Sequence, residues 1–182
     1  MSDMEFVSFQ SIPRLSREVI ITEKIDGTNA QVFVAGTGRI YAGSRTRWLT
    51  PDNDNFGFAA WVKEHENELR ALGPGHHFGE WWGKGIQRGY GLDERRFSLF
   101  NVSRWSDEAG QRPPICHVVP VLMRAVFTEI DWSDVMLALT AAGSRAAPGF
   151  PFPEGIVVYH PQGNVLFKKT FKNDDKGKSY GS

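Results

Sequence analysis

The sequence predicts an α+β fold built on antiparallel sheets. Most of the chain reads as short apolar or alternating strands, several of them joined by glycine-containing turns. Only two segments repeat apolar residues at three- and four-residue steps, and strands and helices do not alternate as βαβ units would require.

REVIITEKI (17–25), AQVFVA (30–35) and RIYAGS (39–44) read as three successive strands, with GTGR (36–39) as a hairpin connection. After the turn-rich PDNDN (51–55), a helix is predicted over 56–72. Phe58, Trp61, Val62, His65, Leu69 and Leu72 share its inner face, and Gly73-Pro74-Gly75 stops it. HHFGEWW (76–82) and RFSLFNV (96–102) read as buried strands on either side of a glycine-rich loop. A second helix starts with Asp131 as N-cap, turns Val135, Met136 and Leu139 inward and ends at Gly143. EGIVVYH (154–160) and NVLFKKTF (164–171) pair across the turn 160–163. The polar NDDKGKSYGS (173–182) is expected to fray. No repeat or linker interrupts the chain, so residues 1–182 are expected to form one domain.

Composition narrows the function. The chain has 182 residues, is 41% hydrophobic and carries no formal net charge, so any contact with nucleic acid needs a local patch. A single cysteine, Cys116, excludes an internal disulfide and argues against a thiolate metal cage. No signal-peptide pattern and no apolar run of membrane-span length is present, so the expectation is a cytoplasmic protein without a membrane partner.

The chemistry centres on TEKIDGTNA (22–30). On a strand Thr22, Lys24 and Asp26 share one face while Glu23 and Ile25 take the other. Gly27 is expected to permit a turn, with Thr28 and Asn29 offering short polar groups beyond it. A lysine beside an aspartate is often only a surface pair worth well under about 1 kcal/mol. The other reading is a nucleophile. An amine attacks only when neutral, and partial burial or a neighbouring cation favours that form. K-x-D-G is also the nucleotide-accepting motif of covalent nucleotidyltransferases, though four letters alone are weak.

The companions follow in order: GSRT (43–46), FGEWWGKGIQ (78–87), RFSLFNV, PEGIVV (153–158) and LFKKTFK (166–172). In these motifs the chain resembles the ATP-dependent RNA ligases, most closely the RNA ligase 2 type, over about residues 20–172. The resemblance implies a nucleotidyltransferase (adenylyltransferase) domain of antiparallel sheets flanked by helices, an ATP-grasp-like ligase core, with Lys24 carrying AMP as a phosphoramidate. It implies ATP and Mg2+ as cofactors, with Mn2+ as a substitute. The implied catalytic set is Lys24, Asp26, Asn29, Arg45, Glu80, Glu154 and Lys168. Thr22, Glu23, Phe100 and Lys172 join Lys24, Arg45, Glu80, Glu154 and Lys168 around the nucleotide.

Each companion also has a physical reading. Arg45 could be a plain surface cation, or a planar fork for a phosphate or a terminal ribose. Glu80 stands among apolar neighbours and needs a hydrogen-bond partner, which a ribose hydroxyl would supply on the resemblance and a structural arginine would supply otherwise. One of Phe97 and Phe100 belongs to the core. The resemblance puts the other on the adenine, with Phe100 the choice and Phe97 the slipped alternative. Asp26, Glu80 and Glu154 could form a negative rim for hydrated magnesium, which prefers oxygen ligands. Lys168, Thr170 and Lys172 share one strand face and Lys169 the other, so two lysines could neutralise a pyrophosphate leaving group. Lys176 and Lys178 read as a bare basic tail.

RNA ends, nicked or single-stranded, are the expected acceptors, with DNA less favoured. A DNA ligase, a capping-type nucleotidyltransferase, or an end-binding protein that has lost catalysis would fit the same letters. No C-terminal accessory domain is recognisable after the last motif. A minimal ligase, a protein partner that supplies the missing grip, and a longer chain each fit that observation.

Overall fold

The computed structural model describes residues 6–110 and 112–174. Among them ten strands form two sheets, as the α+β reading requires. The first sheet runs β10-β9-β1-β8, with β1 (Glu18–Lys24), β8 (Val121–Val126), β9 (Gly155–His160) and β10 (Val165–Thr170). The second runs β4-β3-β2-β5-β6-β7, with β2 (Thr28–Val34), β3 (Ile40–Ser44), β4 (Trp48–Leu49), β5 (Gly75–Gly83), β6 (Arg95–Leu99) and β7 (Cys116–Val118). All pairings are antiparallel except β6 with β7.

The strands 17–25 and 30–35 are neighbours in sequence but belong to different sheets. The chain crosses between them through Ile25, Asp26 and Gly27, and Lys24 lies at the crossing. Gly27 does not provide a left-handed turn there. A Cβ on it would sit 2.5 Å from the Trp81 carbonyl oxygen and 2.7 Å from the Trp82 Cβ, so close approach to β5 is what requires glycine.

Three apolar clusters hold the layers. Helix α4 (Trp132–Ala142) covers the outer face of the first sheet, packing Met136 and Leu139 on Val19, Ile21, Ile156 and Val158. Asp131 caps it as expected, accepting from the Ser133 and Asp134 amides. The outer face of the second sheet packs Val32, Trp81, Phe97 and Leu99 under Phe58 and Val62, with Phe58 5.3 Å from Trp81 and 5.2 Å from Phe97 between ring centroids. Each such buried ring contributes about 2–3 kcal/mol of transfer free energy. Between the sheets lie Ile20, Ile25, Trp82, Tyr90, Val102 and Val119.

The predicted helix 56–72 is broken into α1 (Phe58–Glu64), α2 (Glu66–Leu69) and a 3-10 turn at Arg70–Leu72. His65, at φ −106°, interrupts it. Asp54 caps α1 from outside, accepting from the Ala59 and Ala60 amides at 2.7 and 3.0 Å. A four-residue α3 (Val102–Trp105) follows β6. The polar end 173–182 and the tail lysines Lys176 and Lys178 lie almost wholly outside the described residues. No helix among the described residues is long and apolar enough to cross a membrane.

Candidate active site

Lys24 ends β1, and its Nζ donates to Glu154 Oε2 at 2.6 Å; both side chains are mostly buried. Register explains the meeting. Lys24 pairs with Gly155, which puts the residue before β9 against the lysine. Gly155 itself contributes no side chain, and a Cβ there would meet the Lys169 carbonyl oxygen at 2.1 Å.

Glu80 comes from the second sheet. It pairs with Asn29 across β2 and β5, accepts from the Gly27 amide at 3.1 Å and from Asn29 Nδ2 at 3.4 Å, and is 8% exposed. Burial pushes its carboxyl up to about 7, against the pull of Lys24 and the Gly27 amide; Glu154 and Asp26 push in the same direction as burial. Lys24, Glu80 and Glu154 thus share one electrostatic neighbourhood.

The expected carboxylate rim is only partly assembled. Asp26 Oδ2 is taken by Arg88 Nε at 2.7 Å, and among the described residues no three acidic, histidine or cysteine side chains converge on a metal position. Glu80 and Glu154 are the two carboxylates of the expected rim that no arginine engages, and hydrated magnesium needs only one or two carboxylates besides phosphates.

Glu23 also requires correction. Its carboxylate points away from Lys24 and accepts from Ser144 Oγ, Arg145 N and Ala146 N at 2.7, 2.7 and 2.9 Å. At 1% exposure it is a compensated buried acid that ties the loop after α4 to β1, and its carboxylate is engaged there rather than beside Lys24.

The other candidates are placed by strand alternation. Phe97 is fully buried, pairs with Trp81 and packs under α1. Phe100, just past β6 and 41% exposed, continues the face of Ser98 and Glu80. Thr22 and Lys168 both align with Val157, on the face of Lys24. Thr170, aligned with Gly155, holds the row of Lys24, between Lys168 and Lys172 as the alternation predicts. Lys169 takes the opposite face and reaches Asp174, while Lys172 lies exposed beyond β10. In the β3–β4 turn Arg47 is fastened to the Asn53 and Asp54 carbonyls, whereas Arg45 is exposed and has no polar side-chain partner among the described residues.

Two residues of the site escaped the sequence reading. Arg88 bridges Asp26 and the Phe152 carbonyl, at 2.7 and 3.2 Å, and so links the crossing to the mouth of β9. The Tyr90 hydroxyl accepts from the Asp26 amide at 2.7 Å. Their only signal was position, immediately after GKGIQ in a loop rich in glycine.

The profile of the RNA ligase family matches residues 17–173, nearly the whole described chain. The chain belongs to the RNA ligase family. Solved RNA ligases of Naegleria gruberi share its fold. A mutant without ligand gives a TM-score of 0.63 at 22% identity, covering 85% of this chain and 50% of that one. A mutant with ATP and Mn gives 0.64 at 21%, covering 87% and 51%. A mutant with AMP and Mn gives 0.60 at 21%, covering 86% and 50%. The chain therefore spans about half the length of the ligases it matches. Among curated proteins none matches it.

Proposed function

We propose that this member of the RNA ligase family is an ATP-dependent RNA ligase that works through a lysyl-AMP intermediate. The observation that carries the reading is the Lys24–Glu154 contact at 2.6 Å, set at a sheet crossing beside buried Glu80. A lysine on a plain surface pair would not be held in that setting.

Attack requires the neutral amine, and Glu154 is the acceptor placed to take the proton from Nζ. The Nζ lone pair then forms the N–P bond at the α-phosphorus of ATP. The bond from that phosphorus to the bridging oxygen breaks, and pyrophosphate leaves with the electron pair. In the second step a 5′-phosphate oxygen displaces Lys24 from the adenylyl phosphorus, and the lysine regains a proton. In the third a 3′-hydroxyl attacks the activated 5′-phosphate and AMP leaves. Glu80 is assigned to a ribose hydroxyl, Phe100 to the adenine face, and Lys168, with Lys172, to the leaving phosphates. Arg45 is assigned to a phosphate or terminal ribose of the polynucleotide.

Glu80 and Glu154 would hold Mg2+, or Mn2+ in its place, through water. Bound there, the ion would offset charge developing on the phosphates. Asn29 positions Glu80 in this reading, and Asp26 positions the crossing through Arg88. RNA ends are the proposed acceptors, and a protein partner that grips the polynucleotide is compatible with a chain matched to half of its relatives' length.

The test is incubation with ATP labelled at the α-phosphate and a divalent metal. Wild type should become covalently labelled and Lys24→Ala, shown to be folded by circular dichroism, should not. Labelling of the folded alanine variant at the wild-type rate would place the nucleophile elsewhere.

A further inference from the structure

The face of the second sheet that carries Glu80 and Asn29 continues outward as an aromatic surface. Cross-strand pairing puts Phe33 opposite both Tyr41 and His76, and Trp48 opposite Gly43, on one face. The rings touch in series. Phe33 lies 4.4 Å from His76 and 6.0 Å from Tyr41 and Trp48, and His76 lies 5.9 Å from Phe78 with an interplanar angle of 8°. Tyr41, Trp48 and Phe78 are 40%, 52% and 55% exposed. Gln31 fixes the middle of the row, since His76 Nδ1 lies 2.9 Å from its Oε1, which can only accept.

Single exposed apolar side chains are ordinary, but a contiguous run of five rings is not. We propose that this surface is a stacking platform for the unpaired bases of an RNA strand whose end lies at Lys24. The occupant follows from charge and geometry. Two arginines flank the rings, Arg39 over Tyr41 at 5.7 Å and Arg45 in the β3–β4 turn, and neither pairs with a carboxylate among the described residues. Along β2, β3 and β5 the only acid on this face is Glu80, so these strands place no carboxylate beside a phosphate backbone short of the reaction centre, and Glu66, beside Arg39 and Tyr41, is paired with Arg70. The distance suits a short strand. His76 and Glu80 are four residues apart on β5, about 13 Å, and sheet aromatics elsewhere stack two or three bases. Stacking tolerates any sequence because every base has a π-face, so the platform would hold an end without selecting its bases.

The proposal rests on the ligase reading for the direction of the strand, and its test separates the two. Binding of a fluorescein-labelled unstructured RNA is measured by anisotropy without ATP, and self-adenylation is measured in parallel. Trp48→Ala and Phe78→Ala should each weaken RNA binding at least about five-fold while self-adenylation stays at the wild-type rate. Trp48→Phe, which keeps a ring, should retain most of the affinity. In the wild type RNA should quench tryptophan emission, and in Trp48→Phe most of that quenching should vanish. Affinities in both alanine variants within two-fold of wild type (a range set by about 0.4 kcal/mol), or duplex RNA competing as well as the single strand, would overturn the platform and leave the ligase reading intact. So would sedimentation showing that these rings close a dimer of the chain. Loss of RNA binding in the variants of a protein that never self-adenylates would uphold the platform and overturn the ligase reading.

Discussion

Lys24 Nζ and Glu154 Oε2 stand 2.6 Å apart although 130 residues separate them in the chain. The contact exists because β1 and β9 run antiparallel with Lys24 opposite Gly155, which leaves Glu154 at the open end of the row. A carboxylate at that distance both aims the amine and offers a place for its proton.

Removing the acid should therefore cost the first chemical step. Glu154→Ala is expected to lower the rate of self-adenylation by about 100-fold or more. Glu154→Asp, one carbon shorter, should fall between alanine and wild type. Single-turnover labelling with ATP in excess measures this directly. Equal rates in all three proteins would reduce Glu154 to the solvated end of a strand.

Arg88 should act at one remove. Its bonds to Asp26 and to the Phe152 carbonyl join the two segments that bear Lys24 and Glu154. Arg88→Ala should slow self-adenylation about 10-fold, since misplacement of reacting groups is costly. The ion pair is a quarter exposed on each side, so stability should change by less than about 1 kcal/mol. Arg88→Lys should restore part of the rate, because one of the two bonds can be remade. A variant that loses stability and rate in proportion would be a structural residue only.

The strands of this site were legible because each carries its own punctuation: Lys24 in KIDG, Glu80 in GEWW, Glu154 before GIVV. Their convergence is a matter of register, which no local pattern encodes. Strand β8 escaped notice because Pro120 and Arg124 break its apolar run, yet it sits on an edge where an exposed arginine and a preceding proline are tolerated. Glu23 misled for a similar reason. Adjacent to Lys24 in sequence, it faces the opposite layer, and its partners lie more than 120 residues away.

Gly27 gives a purely steric prediction. A methyl group there would overlap the Trp81 carbonyl and the Trp82 Cβ, neither of which can swing aside. Gly27→Ala should cost about 2 kcal/mol or more, read as a lowered urea midpoint. Because the crossing must shift, self-adenylation should fall as well. A midpoint unchanged from wild type would mean that β5 can yield at this point.

Arg45 should matter after the first step. Arg45→Ala is expected to leave self-adenylation within about three-fold of wild type, a difference under 1 kcal/mol, and to slow sealing of pre-adenylated ends by at least 10-fold. Arg45→Lys should rescue poorly, because a point charge does not reproduce a bidentate fork. With no net charge to help, sealing should also fall more steeply with salt than self-adenylation does. Parallel salt slopes for the two reactions would mean that the ends are not held by phosphate contacts.

Glu80 ties the chemistry to stability. Burial raises its carboxyl from 4.5 to about 7 in the folded protein, while the unfolded chain keeps the ordinary value. Between those two values the folded state binds more protons than the unfolded one, so this group's contribution is fully present below pH 4.5 and is lost as the pH rises to about 7. Above that it is constant. Glu80→Gln has no proton to lose, so relative to wild type it should gain stability across this window, with a ceiling of about 3 kcal/mol reached near pH 8. The amide keeps one acceptor for the Gly27 or Asn29 donor, which should preserve the local geometry. Urea unfolding of both proteins at pH 5, 6, 7 and 8, a series spanning this window, measures the difference. A difference that does not change with pH would show that the Glu80 carboxylate is solvated in the folded protein, and would remove the argument that it waits as a half-protonated partner for a ribose hydroxyl.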